Sequence, residues 1–390
     1  MKRLIVALFA IAAGLAIASP SEAASTGPTV LDGTPICGLA APAPGSTPVA
    51  DDGVLKVASF NLLHSDLDEA DMSLADRLPL EADALAASGA DIIGAQEVAR
   101  NTDFTPGDEY PQRHGFVAQR LAEMISARTG EAWTWCWSAS NPHVPLTPDI
   151  TTGGGNPLDA LAVMFGNIPD SGTFSEGLAI LTRFPVQWSR FHRMLPRSYE
   201  AVACLNLDPF CRLDATFDAR QVLWARIATP LGGVDMFTTH IAHHIGGLSN
   251  TTKLLQARQA MQVVKNWSVR DALPDFLVGD FNSAPGGKVW NTVTNNGFVD
   301  TYRAAGGVEC VAPGDAGCSG GPPDGGETYT AGPTRAMSER IDYVWARRGS
   351  CGLAVTNSQL IGNTPTLQSD GRYIWPSDHN GFVSTVRCNA

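Results

Sequence analysis

The chain has 390 residues, 44% hydrophobic and 17% charged, enough apolar content to fill a sizeable core and too much for a disordered polymer. Acidic residues outnumber basic ones 39 to 27, for a formal charge of −12. Such a surface excludes a protein that holds a polyanion by bulk attraction, though not an enzyme that binds one briefly and cuts it.

Lys2 and Arg3 precede an apolar run from Leu4 to Ala18, followed by Ser19-Pro20-Ser21-Glu22-Ala23. A charged start, an apolar middle and a small-residue exit predict a secretory signal peptide over residues 1–23, with Ser21 and Ala23 suited to the −3 and −1 positions. The run is shorter than the ~18 apolar residues a membrane span needs, and small residues follow it. Cleavage therefore outweighs an anchor, and the expected product is a secreted monomer without stable membrane insertion. Losing Lys2, Arg3 and Glu22 makes that product one charge more negative.

Residues 24–53, rich in Pro, Gly, Ala, Ser and Thr, read as an extended arm whose one anchor is Cys37. A single domain is expected over 54–390, since no linker interrupts it. Its predicted strands are 54–61, 91–96, 133–137, 160–165, 178–182, 222–228, 234–240, 276–279, 340–346 and 381–386. A helix is expected to begin at Pro79, whose missing N–H costs nothing in a first turn, and to close at Gly89. Another comes after Asn250, where Leu254, Ala257, Met261, Val264 and Trp267 make one apolar stripe. Strands interleaved with helices indicate an α/β sandwich.

Eight cysteines in an exported chain imply disulfides. Spacing suggests local loops Cys204–Cys211 and Cys310–Cys318, which leaves Cys351–Cys388 and Cys37–Cys136; sequence alone does not fix this connectivity. The segments 196–220 and 304–335, each holding one proposed local bridge, read equally as walls of a cleft or as surface decoration.

The informative pattern lies at the strand ends. Val57-Ala58-Ser59-Phe60 runs into Asn61, Ile92-Ile93-Gly94-Ala95-Gln96 into Glu97, and Met236-Phe237-Thr238-Thr239 into His240. Phe276-Leu277-Val278-Gly279 runs into Asp280, with Asn282 just beyond; Ile341 leads Asp342 into a strand, and Ser377-Asp378-His379-Asn380 precedes the last one. Polar groups at the strand ends of an α/β protein converge on one rim. The oxygen donors Asn61, Glu97, Asp280, Asn282 and Asp378 suit a hard cation such as magnesium, with manganese or calcium as alternatives. Two histidines add proton-transfer capacity, and Asp342 can fix one imidazole's tautomer. Charge neutralisation, an activated water and a stabilised leaving oxygen are what phosphoester hydrolysis requires.

Seven segments in order, SFNLLH (59–64), GAQEV (94–98), LAILTRFP (178–185), TTH (238–240), GDFN (279–282), RIDYVW (340–345) and SDH (377–379), resemble the endonuclease/exonuclease/phosphatase superfamily over about residues 54–388. The resemblance implies the DNase I-like four-layer sandwich, two packed β-sheets flanked by helices. It further implies that Asn61, Glu97 and Asp378 position the metal and that Asp280 orients or deprotonates water. Asn282 would then hold a phosphate oxygen, Asp342 would pair with His379, His379 would act on the phosphate as base or electrostatic clamp, and His240 would protonate the leaving oxygen.

Other residues have plainer readings. His243 and His244 complete an H-x-x-H-H run after His240, but a strand exit does not put all three on one face, so loop histidines outweigh a zinc site. His64 reads as structural. Trp133, Trp135 and Trp137 share one strand face, which is more often buried under a helix than offered to membranes or bases. Arg183, Arg220 and Arg226 are candidate phosphate contacts. The expected activity is an extracellular phosphodiesterase acting on nucleic acid. A sphingomyelinase or phospholipase C activity comes next, then a phosphomonoesterase, and last a non-catalytic binding module.

Overall fold

The apolar runs do form strands, and alternation along each run decides which layers they separate. The computed structural model describes residues 32–40, 53–63, 74–101, 115–142, 175–194, 220–242, 249–269, 274–321, 333–347, 349 and 351–389. The strands are β1 (Ile36–Ala40), β2 (Val54–Asn61), β3 (Ile92–Gln96), β4 (Trp133–Pro142), β5 (Ser175–Thr182), β6 (Val186–Arg193), β7 (Gln221–Thr229), β8 (Gly232–His240), β9 (Asp275–Asp280), β10 (Phe298–Asp300), β11 (Asp342–Arg347), β12 (Gly352–Ile361) and β13 (Gly381–Asn389). The helices of two turns or more are α1 (Leu74–Ser88), α2 (Val117–Thr129), α3 (Ser249–Trp267) and α4 (Lys288–Asn295). The predicted strand 160–165, the Cys204–Cys211 bridge, His64, His243, His244 and the proposed signal peptide lie outside the described residues.

Leaving aside two-residue strands, one sheet runs β6-β7-β8-β9-β11-β10, and the other runs β12-β13-β2-β3-β5, with β4 joining β5 to β1. Both are mixed: β8 and β9 are parallel, as are β2 and β3, while β7–β8 and β9–β11 are antiparallel. Leu55, Val57, Ile92 and Ile180 of one sheet pack against Leu223, Met236, Phe276, Val278 and Val344 of the other. The opposite face of β2–β5, with Phe60, Ile93 and Leu181, is covered by Leu78, Leu85, Leu121 and Ile125 of α1 and α2. On the far side, Phe237, Leu277 and Trp345 lie under Ala257, Met261, Val264 and Val293 of α3 and α4. Helices, sheet, sheet, helices: this is the four-layer DNase I-like sandwich.

Close approach of the sheets has a local cause. A Cβ on Gly94 would sit 2.2 Å from Val278 Cγ2 of the facing sheet, so only glycine fits there. Trp133, Trp135 and Trp137 are buried under α2, as the strand pattern implies, and Trp135 and Trp137 lie against Phe116. Three expected disulfides are present: Cys37–Cys136, Cys310–Cys318 and Cys351–Cys388. Among the described residues, no helix is long and apolar enough to cross a membrane.

Several expectations need correction. Helix α1 starts at Leu74, so Pro79 lies inside it rather than in its first turn, whereas Gly89 closes it as expected with a left-handed φ of 65°. Within residues 24–53, Ile36–Ala40 is a strand paired with β4, and Cys37 lies opposite Cys136 in the register. Strands β6 and β12 escaped the apolar-run reading because VQWSRFHR and GLAVTNSQLI are only partly buried and correspondingly polar. In α3, Leu254 is only half-buried; Lys253 and Gln256 face inward instead.

Candidate active site

The side-chain rows that build the inter-sheet core also build the site. Residues two apart on a strand share a face. Leu55 and Val57 point between the sheets, so Asn61 extends that row to the rim; Val234 and Met236 lead likewise to His240, and Phe276 and Val278 to Asp280. Val344 and Ala346 put Asp342 in the same layer. Register then aligns the polar ends: His240 is opposite Asp280 across the parallel pair, and Asp280 is opposite Asp342 across the antiparallel one.

Glu97 takes a different route. Alternation with Ile93 and Ala95 would send it toward α1 and α2, but its backbone is left-handed, φ 56°, and its side chain meets Asn61. Among the described residues, the non-glycine positions with positive φ are Leu63, Glu97 and Asn282, and all three border this site. Such backbone costs free energy and persists where surrounding contacts over-determine it. Gly279 belongs to the same group: at φ 150°, a Cβ would lie 1.9 Å from the Thr239 carbonyl oxygen.

Asn61 is the hub. Its Nδ2 donates to Glu97 Oε1 at 2.9 Å and to Asp280 Oδ2 at 3.2 Å, and lies 3.5 Å from His379 Nε2. Its Oδ1 accepts the Leu63 N–H at 3.1 Å, which fixes the amide's orientation. Two imidazoles flank Asp280 Oδ2, His240 Nε2 at 3.5 Å and His379 Nε2 at 3.8 Å. Asn282 Nδ2 lies 3.3 Å from His240 Nε2 and donates to the Ile241 carbonyl at 2.9 Å, while the Asn282 N–H caps Asp280 Oδ1 at 2.7 Å. His379 Nδ1–H donates to Asp342 Oδ2 at 2.9 Å, and Asp378 Oδ2 stands 4.0 Å from His379 Nε2. All eight sequence-predicted residues thus belong to one contiguous cluster.

Its electrostatics derive from burial and like charge. Burial works against a charged His379, yet Asp342, then Asp378 and Asp280, hold it well above the ordinary imidazole range. Burial raises Asp342 as well, with Asp280 adding to the rise and His379 opposing it. Ligand atoms of Asp280, Asp342 and His379 all lie within 4.8 Å of one another. Glu97, Asp280, Asp342 and Asp378 bring more negative charge to the cluster than its histidines can offset. This carboxylate-rich set fits a hard divalent cation.

Supporting residues that the sequence did not announce complete the cluster. Ser319 Oγ accepts the N–H groups of Ile341 and Asp342, each at 3.1 Å. Ser377 Oγ donates to the Asn61 carbonyl at 2.6 Å and accepts from the His379 N–H at 3.1 Å. Lys253 Nζ donates to the Asn282 carbonyl at 2.7 Å, and Gln256 Oε1 accepts the Ala242 N–H at 2.9 Å. Two candidate phosphate contacts are engaged elsewhere: Arg183 pairs with Asp91 and Glu131, and Arg226 with Asp235 at 3.1 Å. Arg220 is buried.

The sequence matches the Endonuclease/Exonuclease/phosphatase family over residues 58–379. The chain belongs to this family of phosphoester hydrolases. Solved structures agree on the fold. One is an endonuclease/exonuclease/phosphatase from Beutenbergia cavernae DSM 12333, at 19% identity and TM-score 0.52, covering 86% of this chain and 72% of that one. A family protein from Bacteroides thetaiotaomicron aligns at 16% identity and TM-score 0.55, covering 86% and 98%. A mannosyl-6-phosphatase from Bacteroides thetaiotaomicron VPI-5482 aligns at 16% identity and TM-score 0.52, covering 85% and 99%. Among curated proteins, nothing matches the sequence.

Proposed function

We propose that the protein is a secreted, divalent-metal-dependent phosphodiester hydrolase, with nucleic acid as its substrate. The observation that carries the reading is the convergence on Asn61: one amide nitrogen within 3.5 Å of Glu97, Asp280 and His379. Glu97 would be the most direct ligand for the cation, with Asp378 supporting it and Asn61 orienting Glu97 through its amide nitrogen; when bound, such an ion supplies charge neutralisation at the phosphate oxygens. Asp280, capped by the Asn282 N–H, orients and deprotonates the attacking water. Asn282 holds a phosphate oxygen. Asp342 fixes the ring of His379 through Nδ1 and leaves Nε2 for the scissile phosphate. His240, on the other side of Asp280, protonates the leaving oxygen.

Export supports a polymeric or lipid substrate over a cytosolic metabolite. The lipid alternative loses its one sequence argument, because the tryptophans of β4 are buried. A phosphomonoesterase draws only on fold-level likeness to the mannosyl-6-phosphatase, and Arg183 and Arg226, which a basic pocket would use, are held in ion pairs. A panel of plasmid DNA, RNA, sphingomyelin and simple phosphate mono- and diesters, with magnesium and with EDTA, separates the readings. Diester and nucleic-acid cleavage abolished by EDTA is the expected result. Release of phosphate from monoesters alone, or cleavage of sphingomyelin alone, would replace this proposal with one of its rivals.

A further inference from the structure

The segment Ser377-Asp378-His379-Asn380 carries two proposed active-site residues without belonging to a strand. Its backbone polar groups therefore need partners outside any ladder. Two of the N–H groups are met by Ser377 Oγ, for His379, and by the Ser319 carbonyl, for Asn380 at 2.7 Å. The carbonyls are met chiefly by one side chain. Arg335 donates to the Ser377 carbonyl and, through Nη2, to the His379 carbonyl at 2.9 Å, to Asn380 Oδ1 and, more weakly, to the Gly362 carbonyl at 3.4 Å. Its guanidinium carbon lies 4.2 Å from the ring centroid of Trp375, which is buried.

We propose that Arg335 is a positioning residue for phosphoester hydrolysis: it clamps the main chain of Ser377–Asn380 and thereby aims His379 at the scissile phosphate and Asp378 at the cation. This inference rests on the reading of the site given under Proposed function. A planar fork of five donors can bridge converging carbonyls and stack on an indole at once; an ammonium group cannot do both. The clamp comes from the loop that the sequence left open between cleft wall and decoration. The same loop brings Ser319 to Asp342, and it sets Gly320 where a Cβ would lie 3.2 Å from His379 Cε1. On the other flank, Arg77 Nη1 donates to the Pro376 carbonyl at 3.3 Å, so the segment is pinned from both sides.

The test compares the wild-type protein with Arg335→Ala and Arg335→Lys, using bis(p-nitrophenyl) phosphate at saturating magnesium and amide hydrogen exchange over residues 375–380. The expected result is a kcat lower by about 10–100-fold in both variants, as misaimed catalytic groups produce. KM should stay within about threefold of wild type. Subdenaturing guanidinium should restore turnover to the alanine variant and not to the lysine variant, and the His379 and Asn380 amides should exchange faster in both. A kcat within about twofold of wild type together with unchanged exchange would overturn the clamp. Should the alanine variant fail to fold, the lysine variant decides by the same two measurements. A wild-type protein inactive on every phosphoester would instead overturn the proposed function, and the exchange comparison would still decide the clamp.

Discussion

Asn61 shows how much a single side chain can organise. Its oxygen is committed to the Leu63 N–H, so its nitrogen must face the carboxylates. Asp342 does the same for His379: a buried carboxylate at 2.9 Å from Nδ1 dictates which ring nitrogen is left for chemistry. Replacing His379 with alanine should lower kcat for diester cleavage by two or more orders of magnitude, a loss of about 3 kcal/mol in transition-state stabilisation, read in steady-state kinetics of the purified variant. Retained turnover would remove the residue from its assigned role. These residues were legible in the sequence because each terminates an apolar run and falls in an ordered set of motifs. Arg335, Ser319 and Lys253 were not legible, and Ser377 only as a member of its motif, because they act largely through main-chain carbonyls and N–H groups, and no side-chain pattern records which carbonyl a folded loop will present.

At the scale of elements, the site is the continuation of the core. The period of two that buries Leu55, Val57, Phe276 and Val278 also aims Asn61 and Asp280, so a one-residue register slip would turn both side chains away together with the core. Strand existence was therefore easy to read for the central strands and hard for the edge strands β6 and β12, whose polar composition reflects having little to bury. The start of α1 was misplaced because Pro79 carries a strong first-turn signal that tertiary packing overrides. That helix also holds Arg77 and Glu81 beneath the site, with Arg77 donating to the Leu62 carbonyl at 2.7 Å and the Leu63 carbonyl at 3.0 Å. Burial pushes the Glu81 carboxyl from its ordinary 4.5 up to about 8, against the pull of Arg77 and with a further push from Asp378. A group whose folded pKa is raised contributes stability that is complete below its unfolded value and is lost as pH rises through the folded one. Thermal stability should therefore fall between pH 5 and pH 8 more steeply in the wild-type protein than in Glu81→Gln, measured in calcium- and magnesium-free buffer. Parallel slopes for the two proteins would contradict a protonated Glu81 at neutral pH.

For the whole molecule, the acidic surface and the acidic site raise one problem: a phosphate must approach a chain of formal charge −12. Two candidate phosphate-binding arginines are held in ion pairs within the fold, and in the proposed mechanism the attraction comes from inside the cluster, from a cation and from His379. Dependence on a divalent ion is thus the claim that connects charge, fold and chemistry. The most direct measurement is turnover as a function of free magnesium for the wild-type protein and for Glu97→Gln. The account predicts no turnover in chelator, a saturable rise with magnesium, and at least about tenfold more magnesium needed by the variant. Full turnover in chelator, or identical magnesium curves for the two proteins, would contradict it.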